Sequence, residues 1–225
     1  MKQLFQTKVC GITSITDARI CVEAGVDAIG LNFFPESPRS ISPELAITIA
    51  EAVRGKIKLV GLFVNETPKV IRDLHAAVGF DYVQLHGDED PYYLKNLSPL
   101  PLIKAFRCQS NHPATIIDYV GACTTLDVTL QAILLDAYQP GTYGGTGHQL
   151  DWETLDLQTS TFGGLPIILA GGITDENVID AITSARPQAI DTASGVESAP
   201  GRKDRDKVQR FSKRARLTFD SPENT

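Results

Sequence analysis

Residues 166–197 read PIILAGGITDENVIDAITSARPQAIDTASGVE, and this stretch contains the pattern that decides the fold. A short apolar run leads into two adjacent glycines, and an amphipathic helical pattern follows over residues 175–187. A second apolar run begins at Ala189 and ends in another glycine-containing loop. Near-continuous apolar strands that alternate with helices are typical of a parallel sheet whose two faces are both covered.

The same unit of strand, loop and helix recurs along the chain. Eight apolar runs predict strands, at residues 7–11, 28–34, 58–64, 82–87, 101–108, 132–137, 166–173 and 189–197. The helical patterns that follow them lie at residues 14–25, 42–54, 67–79, 89–97, 112–126, 151–159, 175–187 and 203–217. Because eight βα units close naturally into a (β/α)8 or TIM barrel, we predict a single α/β domain of this class.

We place the barrel domain at residues 1–219 and a polar C-terminal tail at residues 220–225. An open doubly wound sheet is the alternative architecture. That fold usually carries its glycine fingerprint after the first strand, whereas the glycine-rich loops of this chain follow the sixth, seventh and eighth predicted strands.

Composition argues against several classes of partner. The chain has 225 residues and a formal net charge of -6, whereas a nucleic-acid binder usually carries positive charge. The N-terminus lacks an apolar signal segment, and no run of about 18 apolar residues predicts a membrane span. The cysteines form no C-x-x-C pair and the histidines are scattered, so we expect no metal site and a reduced, cytoplasmic protein.

Two neighbouring glycine loops predict a phosphate site. Gly171 and Gly172 end the seventh predicted strand, and Ser194 and Gly195 follow the eighth. Backbone N–H groups in such loops can approach an anion closely, and the helix opening near residues 175–176 would point its positive end toward the same place. TIM barrels usually bind phosphate in these two loops, although the glycines alone are also compatible with simple tight turns.

Two reactive side chains end predicted strands at the face where TIM-barrel active sites lie. Cys10 ends the first strand, and the ammonium of Lys8, two residues earlier on the same face, would favour its thiolate. Asp136 closes the run AILLDA, where a carboxyl group in a partly apolar cleft can donate a proton near neutral pH. A buried structural thiol and a salt-bridged structural acid remain the alternatives.

Further candidates surround this pair. Arg39 lies in the loop after the second strand and could clamp a carboxylate through two parallel N–H bonds, although most loop arginines are solvated. His86 ends the fourth strand and either lines the mouth or hydrogen-bonds within the barrel. Residues 138–152 form a long glycine-rich loop, which is a lid candidate. We assign substrate binding to Arg39, Lys8, His86 and Asp191.

Together these segments resemble the phosphoribosylanthranilate isomerase family. The motifs follow one another in the family's order from Lys8 to about Leu217: KVCGIT, SPRSI, VQLHG, LLDA, GGTG followed by DW, LAGGIT with ENV, and DTASGVE. Each motif alone is modest, but the ordered set is specific. One departure is Asn32 in GLNFF, which would alter the cleft wall locally.

The resemblance implies an isomerase of tryptophan biosynthesis that catalyses the Amadori rearrangement of N-(5-phosphoribosyl)anthranilate. It implies Cys10 as general base, Asp136 as general acid, and Arg39 as the residue that holds the anthranilate carboxylate. Asp191 would orient the substrate. The phosphate-binding loops would contain Gly172, Ser194 and Gly195. No cofactor is implied, the partner is a small phosphorylated substrate, and we expect a monomer or weak homodimer.

Other readings of the same barrel remain open. A related indole-forming synthase would need a catalytic lysine–glutamate constellation, for which Lys8 or Lys104 could be mistaken. A histidine-pathway isomerase would have an aspartate at the end of the first strand, where this chain has Cys10. A non-catalytic phospho-ligand sensor would keep the glycine loops but tolerate loss of Cys10 and Asp136.

Overall fold

The computed structural model describes residues 4–108, 113–137 and 159–221, and these form a closed parallel barrel. Its strands lie in sequence order around the barrel and are β1 (Thr7–Val9), β2 (Ala28–Asn32), β3 (Lys58–Phe63), β4 (Tyr82–Leu85), β5 (Leu102–Cys108), β6 (Leu130–Ala137), β7 (Ile167–Leu169) and β8 (Ala189–Thr192). The predicted (β/α)8 class is therefore confirmed, and the open doubly wound alternative is wrong because β1 pairs with both β2 and β8.

Helices cover the outside of the barrel. In the described ranges they are α1 (Ile15–Glu23), α2 (Pro43–Val53), α3 (Pro68–Val78), α4 (Pro91–Lys95), α5 (Pro113–Thr125), α6 (Val178–Ala185) and α7 (Arg205–Phe219). The lid candidate at residues 138–152 lies outside the described residues, as does all of the predicted sixth helix except its last residue. Where the described residues resume, Thr159–Phe162 form a short 3-10 helix.

Capping side chains fix where several helices begin. The Ser42 hydroxyl accepts a hydrogen bond from the Leu45 backbone N–H, and Pro43 occupies the first turn of α2. Asp90 caps α4 in the same way, accepting from the Tyr93 N–H at 2.7 Å. These residues satisfy backbone donors that the helix itself leaves unpaired, so the sequence dictates the start of each helix locally.

Strand alternation divides the core into two layers. Outward-facing residues such as Ile133 and Leu135 pack against the helices, whereas Ala132 and Leu134 fill the barrel interior. Asp136 continues the inward series along β6 and therefore reaches the carboxyl-terminal mouth of the barrel. The same period of two brings the last inward residue of each other strand to that mouth.

The barrel closes between β1 and β8, where Lys8 and Asp191 are register partners. Lys8 Nζ lies 2.7 Å from Asp191 Oδ2, and the lysine side chain is completely buried. Burial lowers the pKa of Lys8, but Asp191 and Cys10 outweigh this effect, so its pKa is raised and the ammonium is retained. Removing one partner of such a buried pair typically costs about 3–5 kcal/mol.

The chain leaves the barrel through an antiparallel hairpin that the sequence pattern did not predict. After a short 3-10 turn at Ser194–Val196, strands β9 (Glu197–Ala199) and β10 (Arg202–Lys203) form this hairpin before α7 begins. The hairpin lies beside the mouth of the barrel, because Lys203 Nζ donates to the carbonyl oxygen of Ala193 at 3.0 Å.

The loops after β7 and β8 pack closely on each other. Thr192 Oγ1 donates a hydrogen bond of 2.6 Å to the Ile173 carbonyl oxygen. Gly195 lies against the same carbonyl group, so closely that a Cβ atom at this position would overlap it. A side chain at Gly195 would therefore force the two glycine loops apart.

None of the described helices combines the length and the apolar character that a lipid bilayer crossing requires.

Gly195→Ala is expected to lower the free energy of unfolding by about 1–3 kcal/mol, because its Cβ would collide with Ile173 and a loop must move. Gly121→Ala is the matched control. It adds the same methyl group within α5 and meets nothing within 4 Å, so stability should be unchanged or higher by about 0.5–1 kcal/mol. Urea denaturation measures both variants, and equal stabilities would contradict the close packing of the loops.

Candidate active site

A pocket lies at the carboxyl-terminal ends of the strands and gathers most of the predicted site residues. Its lining includes Cys10, Arg39, His86, Asp136, Gly171, Gly172, Asp191 and Ser194. Two predicted residues lie behind this lining. Lys8 is buried beneath it in the pair with Asp191, and Gly195 backs onto Ile173. The carboxyl and thiol groups proposed for proton transfer therefore share one cavity.

Cys10 lies at the end of β1 with a fixed backbone. Its N–H donates to the Thr192 carbonyl oxygen at 2.7 Å, which ties it to the loop after β8. The neighbouring strand supplies Gly30, where a Cβ would lie only 2.6 Å from the Cys10 sulfur. The absence of a side chain at Gly30 thus leaves the space that the thiol occupies.

The pKa of Cys10 depends on more groups than the Lys8 ammonium that the sequence revealed. Burial raises the pKa of the thiol, the Lys8 ammonium lowers it, and Asp191 raises it again. Lys203 also lowers it. The net pKa is raised, so Lys8 does favour the thiolate as predicted, but burial outweighs this effect because the thiol loses contact with water.

Asp136 lies close to His86, a second inward-facing side chain at the mouth of the barrel. Gln84 Nε2 donates to His86 Nδ1 at 3.0 Å, which places the proton of a neutral imidazole on Nε2. This Nε2 lies 3.2 Å from Asp136 Oδ2, without the alignment of a full hydrogen bond. His86 therefore both lines the mouth and bonds within the barrel, and it orients a positive edge toward the carboxyl group.

Three polar atoms at this pocket have no hydrogen-bond partner among the described residues. They are Asp191 Oδ1, His86 Nε2 and Gln84 Oε1. Buried polar atoms are nearly always satisfied, so a cluster of exceptions at one cavity indicates a place for a polar ligand. Both acceptors and a donor are present, which suits the hydroxyl groups of a sugar.

The loop after β7 is shaped for an anion. Gly171 and Gly172 have positive φ angles of 90° and 68°, which glycine adopts at little cost. Asn177 holds the loop by donating to the Gly172 carbonyl oxygen and accepting from the Thr174 N–H. This turn places the start of α6 at Val178, slightly later than predicted. The backbone amides of Gly172 and of the turn at Ser194 are thus available to an oxyanion.

Arg39 lies at the opposite wall and is already engaged on one edge. Its Nε and Nη2 donate to the two carboxylate oxygens of Glu197 at 2.8 and 2.7 Å. Glu197 raises the pKa of Arg39, and burial opposes this. Its side chain crosses the backbone of Gly11, where a Cβ would overlap it. Arg39 is therefore held rather than solvated.

The sequence singled out Asn32 as part of the cleft wall, but it did not reveal two other residues that shape the site, Gln84 and Glu197. Asn32 lines the pocket and donates to the Ser37 hydroxyl, which in turn accepts from the Arg39 N–H. Gln84, like Asn32, interrupts an apolar strand at an inward position, and that pattern is a signal that could have revealed it. Glu197 had no such signal, because its partner Arg39 is 158 residues away along the chain.

Among the residues that the structure describes, no group of three or more His, Cys, Asp or Glu side chains is arranged to hold a metal ion.

Comparison with known proteins assigns the family. The sequence profile of N-(5'phosphoribosyl)anthranilate (PRA) isomerase matches residues 7–214. The N-(5'-phosphoribosyl)anthranilate isomerase of Trichlorobacter lovleyi is 44% identical over 213 residues, which cover 95% of this chain and 98% of the relative. The isomerase of Geobacter sulfurreducens is 42% identical over 213 residues, which cover 95% and 99%.

Solved structures agree with the sequence comparison. The phosphoribosyl anthranilate isomerase of Thermotoga maritima superposes with a TM-score of 0.81 at 37% identity, covering 95% of this chain and 100% of that one. A phosphoribosyl anthranilate isomerase in complex with reduced 1-(o-carboxyphenylamino)-1-deoxyribulose 5-phosphate superposes with a TM-score of 0.78 at 35% identity, with the same coverage. The profile match and these identities show that the chain belongs to the N-(5'-phosphoribosyl)anthranilate isomerase family.

Proposed function

We propose that the chain catalyses the Amadori rearrangement of N-(5'-phosphoribosyl)anthranilate to 1-(2-carboxyphenylamino)-1-deoxyribulose 5-phosphate in tryptophan biosynthesis. In this proposal Cys10 is the general base and Asp136 is the general acid. The observation that carries it is that both side chains line one pocket together with glycine loops suited to phosphate. A related isomerase binds a reduced phosphorylated compound of this type, which supports a small phosphorylated ligand.

Phosphate binding anchors the substrate in this proposal. The backbone N–H groups of Gly172, Ser194 and Gly195 bind the phosphate oxygens, and the contact between Thr192 and Ile173 keeps the two loops together. Anchoring at the phosphate places the sugar over the pocket, so that its reacting carbons meet side chains already in position.

The first chemical step opens the sugar ring. Asp136 donates its proton to the furanose ring oxygen, the bond from that oxygen to C1 breaks, and the anthranilate nitrogen lone pair forms a C=N bond to C1. The products of this step are a protonated Schiff base and the Asp136 carboxylate. His86, 3.2 Å from Asp136 Oδ2, stabilises the negative charge that develops on the carboxylate.

The second step moves the proton at C2. The Cys10 thiolate takes this proton, and the electron pair of the C–H bond forms a C1=C2 double bond while the C=N electrons return to nitrogen. The resulting enolamine becomes the ketone when the C2 hydroxyl loses its proton and C1 gains one. A positioned acid or base typically contributes about 10²–10⁴-fold to the rate.

The remaining polar groups orient the substrate in this proposal. Asp191 Oδ1, which has no hydrogen-bond partner among the described residues, binds a ribose hydroxyl group. Lys8 acts from below by holding Asp191. Arg39 binds the anthranilate carboxylate with the N–H groups that Glu197 does not use.

The alternative chemistries receive less support from the geometry. An indole-forming synthase needs an inward catalytic lysine, but Lys8 is bonded to Asp191 beneath the pocket. Lys104 is bonded to Glu89 and to backbone carbonyl oxygens, and it does not line the cavity. A sensor without catalysis gives no reason for Cys10 and Asp136 to share one pocket.

Two expectations about the protein in the cell remain proposals. The described thiols Cys10, Cys21 and Cys123 are free, which is compatible with a reducing cytoplasm. The proposed site is assembled from one chain, so we expect a monomer or weak homodimer to be active.

Purified protein should consume phosphoribosylanthranilate, which is followed as loss of the fluorescence of this compound. Cys10→Ser and Asp136→Asn should each lower kcat by about 10²–10⁴-fold, because the first replaces the base with a far weaker one and the second removes the acidic proton. Cys21→Ala and Asp73→Asn, which alter a thiol and a carboxylate outside the pocket, should keep activity. Near-normal kcat in either pocket variant would reject its proposed role.

Alkylation by iodoacetamide tests the protonation of Cys10 directly, because only the thiolate reacts. The pKa of Cys10 is raised above that of an ordinary thiol. The rate of Cys10 alkylation should therefore increase about tenfold per pH unit from about pH 6 to pH 8. Cys21 and Cys123 are less exposed than Cys10 and lie outside the pocket, so iodoacetamide should reach both more slowly. Peptide mass spectrometry assigns each site, and a plateau for Cys10 below pH 8 would contradict the raised pKa.

A further inference from the structure

Glu197 joins two buried cations beside the pocket. Its Oε1 accepts from Arg39 Nε and from Lys203 Nζ, both at 2.8 Å, and its Oε2 accepts from Arg39 Nη2 at 2.7 Å. Burial raises the pKa of Glu197, but Arg39 and Lys203 outweigh burial and lower it, so the carboxylate is ionised. Burial lowers the pKa of Lys203, and Glu197 opposes this effect. With Lys203 protonated, two positive groups and one negative group leave one net positive charge in this cluster.

The contact with Glu197 uses only part of the Arg39 guanidinium. Two of its five N–H groups are bonded to the carboxylate, which leaves the outer edge formed by Nη1 and Nη2. Arg39 itself lines the pocket. Because Gly11 has no side chain, the Arg39 side chain can cross the Gly11 backbone in this conformation.

The hairpin that carries Glu197 is tied to the loops around the mouth. Thr13 donates a hydrogen bond to the Gly201 carbonyl oxygen at the hairpin tip. Lys203 Nζ donates to Ala193 in the loop after β8, and its backbone N–H donates to Asp17. The hairpin is therefore a fixed support from which Glu197 reaches Arg39.

We propose that Glu197 is a positioning residue for substrate recognition, which holds one edge of Arg39 so that the outer edge is presented to the substrate carboxylate. Lys203 keeps the cluster positive, so that Glu197 does not cancel the attraction for this carboxylate. A long arginine side chain loses conformational freedom when it binds, and holding it in advance removes that cost. This inference rests on the carboxylate-binding role proposed above for Arg39.

A double-mutant cycle tests the proposal with wild type, Glu197→Gln, Arg39→Ala and the combined variant, each measured for kcat and KM with phosphoribosylanthranilate. Glu197→Gln should raise KM about tenfold and change kcat by no more than about twofold, because recognition is lost and the acid–base pair is untouched. In the Arg39→Ala background the same substitution should have no further effect on KM. Glu23→Gln, which breaks the exposed pair with Arg205, is the matched control and should leave both constants unchanged.

Each outcome separates this inference from the proposed function. If Arg39→Ala raises KM but Glu197→Gln does not, or if Glu197→Gln raises KM equally without Arg39, the positioning role is overturned and the isomerase function stands. If Arg39→Ala leaves KM unchanged, the carboxylate-binding role itself is rejected. Glu197→Asp, which keeps the charge but shortens the reach, replaces Glu197→Gln if that variant does not fold. Failure of both to fold would show a purely structural anchor and overturn the proposal.

Discussion

The pairing of β1 with β8 is the constraint on which the rest of the structure depends. Lys8 and Asp191 are register partners across this seam and form a buried ion pair at 2.7 Å. Cys10, which directly follows β1, donates its N–H to the carbonyl oxygen of Thr192 on β8. This register places the thiol beside the glycine loop after β8. The cost of removing both charges from water offsets much of their attraction, so a buried pair of this kind is weak evidence of added stability.

The lack of a side chain at three glycines is the second constraint on the site. Gly30 leaves space for the Cys10 sulfur, Gly11 lets the Arg39 side chain cross its backbone, and Gly195 lets the loops after β7 and β8 touch. Gly30 and Gly11 each border a side chain that is proposed to bind or react, and Gly195 borders the backbone of Ile173. The pocket therefore depends as much on backbone exposed by glycine as on its polar side chains.

The sequence predicted the barrel and most of the pocket because both follow from local periodicity. Strand alternation and the end of each apolar run are enough to predict that Cys10 and Asp136 lie at one mouth of the barrel. The bond between Glu197 and Arg39 could not be predicted, since it joins residues 158 positions apart. The net direction of the Cys10 pKa shift could not be predicted from the sequence either. Burial depends on every element around the thiol, whereas spacing along the chain revealed only Lys8.

The central claim is that Cys10 and Asp136 act on one sugar while the glycine loops hold its phosphate. The most direct measurement is a crystal structure of this protein with reduced 1-(o-carboxyphenylamino)-1-deoxyribulose 5-phosphate. We predict that the phosphate lies on the backbone N–H groups of Gly172 and Gly195, with the Cys10 sulfur and an Asp136 oxygen within about 3–3.5 Å of the sugar chain. A phosphate bound away from these loops, or a sugar remote from either side chain, would contradict the claim.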